Sequence, residues 1–250
     1  MLSGPEPYFE MMKARPGIPT YIGDLQHHAV GCYSAHSGVK HWNRRAEHLL
    51  MASERWSTVA AVLGGPAYPR DVFGRAWKLV LFNQFHDILA GTAIAPAYED
   101  ARDQYGYAST VAADAMNLAV QSVTRRINIA AQDGTLPVVI VNPLPWAVRA
   151  DVEFEMQGDS TDPVGAIEAQ NGAPVALQDI QPLATVGGAH RRLVFAADLP
   201  PLGYRLYRLG PRFGQVMAGA RGAHDEETVL ENVHLRAELD PGTGWLSSLV

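Results

Sequence analysis

The chain has 250 residues, 47% hydrophobic and 18% charged, which gives enough apolar material for one large domain or two modest ones and excludes a disordered chain. A net charge of −6 without any block of lysines or arginines excludes a nucleic-acid groove, and no apolar run approaches the roughly 20 residues of a membrane helix. With Cys32 as the single cysteine, an internal disulfide and a thiolate-rich zinc cluster are excluded, so any metal must be held by histidine and carboxylates.

Residues 1–36 read as irregular or extended, because Pro5, Pro7, Pro16, Gly17 and Pro19 interrupt any long helix. The start, Met1-Leu2-Ser3-Gly4-Pro5, has neither a basic stretch nor an apolar core, so no signal peptide is read and a cytoplasmic location is expected. A first helix follows, on which Val39, Trp42, Ala46, Leu49, Ser53, Trp56, Ala60 and Leu63 alternate at steps of three and four, until Gly64-Gly65-Pro66 ends it. A second helix is expected from Asp71, read as its N-cap, to about Phe85. It is apolar nearly all round, which predicts burial between other elements. A third, about Pro96 to Asn128, carries Tyr98, Ala101, Tyr105, Ala108, Ala112, Ala115 and Ala119 on one stripe, with alanines small enough for a neighbour to come close. Three long helices with short connections predict an antiparallel bundle.

After Asp133-Gly134 the period changes to two. Val148, Ala150, Val152, Phe154 and Met156 alternate with polar residues, and Val233, Leu235, Ala237 and Leu239 do the same. With Gly210–Glu227 as a long loop and Pro241-Gly242-Thr243-Gly244 as a turn, the pattern predicts an antiparallel β-sandwich. The last strand reaches Val250, so the sandwich is expected to be incomplete. The predicted class is α+β.

Chemistry concentrates in Asn83-Gln84-Phe85-His86-Asp87-Ile88, followed by Gly91-Thr92. An imidazole beside a carboxylate at the end of an apolar helix suits metal binding or catalysis, because a buried charge must be paired or ligated. The alternative is a histidine that caps the helix C-terminus, with Asp87 solvated. His27 and His28 are a second candidate, but adjacent histidines on a strand point to opposite faces and would not share a metal. In His41–His48, Asn43 pairs in register with Glu47 and Arg44 with His48, which a solvated, ion-paired exterior explains. His224-Asp225-Glu226-Glu227 has ligating atoms but falls in the charged loop. No His-x-Asp pair, HExxH motif, phosphate loop or serine elbow is present.

In their order, several of these segments resemble glycoside hydrolase family 38, the retaining α-mannosidases. Gly23-Asp24-Leu25-Gln26-His27-His28-Ala29-Val30-Gly31-Cys32-Tyr33-Ser34 is similar to the stretch that closes the family's catalytic domain, and Asn43-Arg44-Arg45-Ala46-Glu47 to the helix after it. Leu81–Thr92 is similar to the histidine–aspartate signature, and Val141-Asn142-Pro143-Leu144 to the entry into the β-rich part. Pro200-Pro201-Leu202-Gly203-Tyr204 and Glu231-Asn232 resemble later landmarks.

The resemblance implies residues 1–36 as the end of a catalytic α/β domain, 37–131 as a helical middle domain and 132–250 as the start of the β-sandwich. It implies a Zn2+ cofactor, an α-mannoside substrate, His86 as one zinc ligand and Asp87 as a contact to sugar hydroxyls. The other ligands (a His-x-Asp pair and an aspartate that is also the nucleophile) and the general acid have no match here. They are expected in an N-terminal α/β domain that acts as partner to this chain, leaving the chain inactive alone. Retaining glycosidases place two carboxyl groups about 5–5.5 Å apart. Two other functions fit the same residues: a non-catalytic carbohydrate-binding or interaction module, and one chain of a split enzyme.

Overall fold

Proline and glycine set most of the element ends in the computed structural model, which describes residues 4–25, 28–157, 164–180, 190–213, 228–231 and 234–250. The expectation of irregular chain before residue 37 is corrected by α1, Pro5–Lys13. Pro5 and Pro7 occupy its first turn, where an amide proton has no partner within the helix, so neither proline costs a bond. A short 3-10 turn at Val30–Tyr33 leads to α2, Ser37–Val62. Its end follows the expected signal: Gly64 takes φ +75°, and the amides of Gly64 and Gly65 close back on the carbonyls of Ala61 and Ala60.

The helix α3 spans Arg70–Asn83, so Asp71 lies inside the first turn and Pro69, not Asp71, precedes the helix. It also ends two residues before Phe85, which is extended at φ −52°, ψ 139°. His86 therefore caps no long helix; it opens the one-turn helix α4, His86–Leu89. The last helix, α5, runs Ala95–Thr124 with a proline in its first turn.

α2, α3 and α5 share a core of Val39, Ala46, Leu50, Phe73, Ala76, Val80, Tyr105, Ala108 and Ala112. The buried face of α2 differs from the predicted stripe. Asn43, Leu50 and Ser57 are buried, and Leu63 is exposed. Ser53 lies at that contact, its one hydroxyl proton shared between the carbonyl oxygens of Leu49 (2.6 Å) and Ala112 (2.7 Å). The expected all-round burial of α3 is corrected as well. Phe73, Ala76, Val80 and Asn83 are buried, whereas Val72, Leu81 and Phe82 face solvent, because α2 and α5 pack on one side of the helix only.

The second half is made of antiparallel sheets. Its strands among the described residues are β1 Leu136–Val141, β2 Val148–Gln157, β3 Gly165–Glu168, β4 Pro174–Val175, β5 Gln178–Ile180, β6 His190–Leu199, β7 Tyr204–Gly210, β8 Val229–Glu231, β9 Arg236–Leu239 and β10 Leu246–Leu249. They form sheets of order β1-β7-β3-β4, β2-β6-β5 and β10-β9-β8. The alternation read over 148–156 is β2, half-buried on one face and exposed on the other. The first two sheets bury one core, where Phe195 of β6 meets Tyr207 of β7 with ring centroids 5.0 Å apart. Arg191 is buried there and paired with Asp179 at 2.5 Å. The predicted alternation at 233–239 is a strand only from Arg236 on, with Val233 outside the described residues. Of the predicted loop, Gly210 closes β7, residues 211–213 make a 3-10 turn, and 214–227, with His224–Glu227, lie outside the described residues.

Asn142 braces the corner of the second half that faces α2. Its buried amide donates to the carbonyls of Trp146 (2.8 Å) and Pro200 (2.9 Å) and accepts from the Leu144 amide (2.9 Å). Arg55 of α2 donates to the Pro143 carbonyl beside it at 3.1 Å. No described helix is long and apolar enough to cross a membrane.

Ala112 is fully buried against α2. Ala112→Leu should therefore overpack the seam and cost about 1–3 kcal/mol. At about 2–4 °C per kcal/mol this is a visible fall in the midpoint of the helical circular-dichroism melt, whereas Leu118→Ala on the exposed face should leave it unchanged. Equal midpoints for the two variants would refute the close approach.

Candidate functional site

The His86 turn is built from beneath by buried polar residues. Asn83, the last residue of α3, donates to the carbonyl of Leu79 (2.9 Å) and to Oε1 of Gln104 on α5 (2.7 Å). Gln84 donates from Nε2 to Oδ1 of Asn43 (3.1 Å) and Oε1 of Glu47 (2.7 Å), both on α2. Tyr105 of α5 donates to the same Asn43 oxygen at 3.1 Å, and burial, with Glu47 nearby, pushes its phenol up to about 12. The solvated face read for Asn43 and Glu47 is thus corrected. It is an internal network holding the end of α3, while Arg44 and His48 remain exposed as expected.

Three further contacts hold the chain after the break. Lys40 of α2 donates from Nζ to the carbonyls of Ala35 (2.6 Å) and Leu89 (2.8 Å), tying α4 to the segment before α2. Gly91 sits at φ +86°, and a Cβ there would lie 2.6 Å from the Ala35 carbonyl oxygen, so both backbone shape and space require glycine. The Tyr98 hydroxyl accepts from the Ala93 amide at 3.0 Å and lies 3.4 Å from the carbonyl oxygens of Asp87 and Ile88. The Thr92 amide closes on the Asp87 carbonyl at 3.0 Å.

On this base the side chains of His86 and Asp87 point outward. They are 79% and 56% exposed, and His86 Nε2 is 3.4 Å from Asp87 Oδ1. The Phe85 ring lies beside the imidazole, centroids 4.2 Å apart. A recess of about 580 Å3 adjoins His86 and is bordered by Cys32, Tyr33, Lys40, Arg44 and Gln84. Among the described residues no three histidines, cysteines or carboxylates gather. The donors present fit one nitrogen position of a zinc ion, with a carboxylate at its side, and not a whole site.

The structure brings together His86 and Asp87. His28 lies in an exposed bend rather than on a strand, two residues before the 3-10 turn that borders the recess, and His27 is outside the described residues. Sequence reasoning missed Lys40, Asn43, Gln84, Tyr98 and Tyr105 as supports. The available signal was Asn43 itself, which stands in step with Val39, Ala46 and Leu50, an apolar seam.

The turn binds Lys40 through two carbonyls, so Lys40→Met keeps the stem and removes both donors. The cost should be about 1–3 kcal/mol, the usual figure for bonds to a charged donor or for carbonyls left unpaired. Amide hydrogen exchange should rise over 88–91 and stay constant in the middle of α5. Unchanged protection at 88–91 would show that the turn does not depend on this clamp.

Comparison with known proteins gives a consistent picture. Residues 27–123 match the family model described as the alpha mannosidase middle domain. Over its full length the chain is similar to alpha-mannosidase 2C1 of Homo sapiens (27% identical) and of Mus musculus (26%), and it spans 21% of either relative. Two solved structures share the fold. One is described as an alpha-mannosidase from Enterococcus faecalis V583 (TM-score 0.62, 18% identical, 96% of this chain and 33% of that one). The other is described as a protein in the glycosyl hydrolase family 38 from Enterococcus faecalis (TM-score 0.61, 18% identical, 98% and 33%). The resemblance to family 38 α-mannosidases read from the motifs therefore holds, and these relatives are enzymes.

Proposed function

We propose that this chain is the part of a retaining, zinc-dependent α-mannosidase that supplies one metal ligand, His86, and one substrate contact, Asp87, toward hydrolysis of terminal α-mannosyl residues. The observation that supports it most is the His86–Asp87 pair, solvent-facing on a turn held by Lys40, Gly91 and Tyr98 within the matched residues 27–123. A side chain held from beneath and open above suits a ligand completed by groups from elsewhere. In this reading residues 1–36 belong to a catalytic α/β domain, 37–131 form an antiparallel three-helix middle domain, and 132–250 begin a β-sandwich. The rest of the α/β domain is the partner, and the place of action is cytoplasmic.

Zinc, when bound, would act as a Lewis acid that fixes adjacent sugar hydroxyls. His86 offers it a neutral imidazole nitrogen. Asp87, as a carboxylate, accepts hydrogen bonds from sugar hydroxyls and orients the ring. Phe85 presents an apolar flank that keeps water from one side of the imidazole.

Two outcomes test this. In the full-length protein, His86→Ala should lower zinc per molecule by elemental analysis, with a loss of affinity beyond the roughly 10–100-fold caused by losing a mere supporting contact to a ligand. Asp87→Asn should keep zinc and lose turnover. A folded His86→Ala protein with stoichiometric zinc and ordinary turnover would refute the site. Separately, the 250-residue chain alone should not hydrolyse an aryl α-mannoside, since no matched nucleophile or acid is present; zinc-dependent turnover would refute that placement.

A further inference from the structure

A second recess lies beside Tyr98, whose hydroxyl reaches the His86 turn, and nothing in the proposed chemistry uses it. It has a volume of about 420 Å3 and is lined by His36, Trp42, Ala93, Tyr98, Glu99 and Arg102. That volume lies within the range of small-molecule sites, about 300–1,000 Å3. Its walls are aromatic. The His36 imidazole stacks on the Tyr98 ring with centroids 3.8 Å apart and planes 15° apart, and Trp42 stands against His36 at 6.0 Å and 67°. Tyr98 is buried and committed to the turn, whereas His36 is exposed and Trp42 half-buried, so the corner between the two outer rings is open to a ligand.

Holding His36 there requires a backbone that L-residues avoid. It sits at φ 48°, ψ 60°, directly before α2, with no capping hydrogen bond from its side chain. A left-handed conformation is unfavourable for a non-glycine residue, and such strain concentrates at ligand sites. The rim carries one carboxylate and one guanidinium. Among the described residues Glu99 has no partner, and Arg102 uses Nε toward Asp103 (3.3 Å), leaving its terminal nitrogens for a ligand.

We propose that this recess binds a neutral pyranose unit of a glycan. Opposite charges on the rim cancel, so an anion meets Glu99 and a cation meets Arg102. A purely apolar ligand would strip water from both without replacing its bonds. A sugar ring satisfies all the walls: its C–H face lies on Trp42 and His36, and its vicinal hydroxyls donate to Glu99 and accept from Arg102. Because Tyr98 contacts both this recess and the backbone of Asp87, the site would hold a glycan unit beside the one at the turn.

The proposal rests on the glycan-directed reading above, and its test separates the two. The 250-residue chain is titrated by calorimetry with methyl α-mannoside, α-linked mannobiose, methyl β-galactoside and tetramethylammonium. Binding of mannobiose with Kd of order 1 mM is expected, weakened at least tenfold by Trp42→Ala, Glu99→Gln or Arg102→Met, and unchanged by Leu118→Ala on the exposed face of α5. The two rim variants alter exposed side chains and keep the test valid if Trp42→Ala fails to fold. Galactoside binding with the same Trp42 and Glu99 dependence, without mannoside binding, keeps the sugar site but cuts its link to the mannoside reading, which the zinc content of His86→Ala tests separately. Binding of tetramethylammonium alone, no sugar binding, or sugar binding lost only in His86→Ala overturns the site.

Discussion

The close approach of α2 and α5 depends on alanines: Ala46, Ala108 and Ala112 have no exposed surface, so a larger side chain at any of them would have to displace its neighbours. That closeness draws polar groups inside. The Ser53 hydroxyl finds a carbonyl of the opposite helix, and Asn43, buried beside Tyr105, must find partners of its own. Gln84, the residue just after α3, provides one. A buried amide without partners would cost on the order of 1–3 kcal/mol, so the network and the helix end support each other. The position of His86 is thus a consequence of helix packing more than of any property of its own segment.

Much of this was legible in the residues. The change from a three–four period to a period of two marks the passage from helices to sheets, and Gly64-Gly65-Pro66 marks the end of α2. The motif around His86 was legible as a unit but not in its geometry. Periodicity carried α3 through Phe85, because Phe85 is as apolar as the helix before it. At the helix end Gln84 is held by Asn43 and Glu47, some forty residues earlier, and no local pattern contains that. The same limit explains Lys40. A lysine at a helix start reads as solvated, and only the tertiary structure shows that two carbonyls converge on its ammonium. Aromatic residues at 36, 42 and 98 were likewise invisible as a group, since Trp42 and Tyr98 stand on packing stripes and His36 outside any.

The helical half and the sheets meet at the corner that follows β1. Asn142 turns the chain by satisfying three backbone groups at once, and Arg55 reaches the next carbonyl from α2. Val141 extends that contact into the small cluster of Trp56, Ala119 and Val123. The resemblance at Val141–Leu144 therefore has a physical basis: asparagine has the donors and the acceptor that this corner needs, and the proline after it has no amide proton to leave unpaired.

The apolar side chains left in water have a thermodynamic consequence. Tyr8, Phe9, Met11, Ile22, Leu25, Phe82 and Phe85 are exposed. Surface already hydrated in the folded state contributes nothing further when the chain unfolds. The heat-capacity increment of unfolding should therefore fall below the usual figure of about 12–15 cal/mol/K per residue, giving a flatter stability curve with temperature.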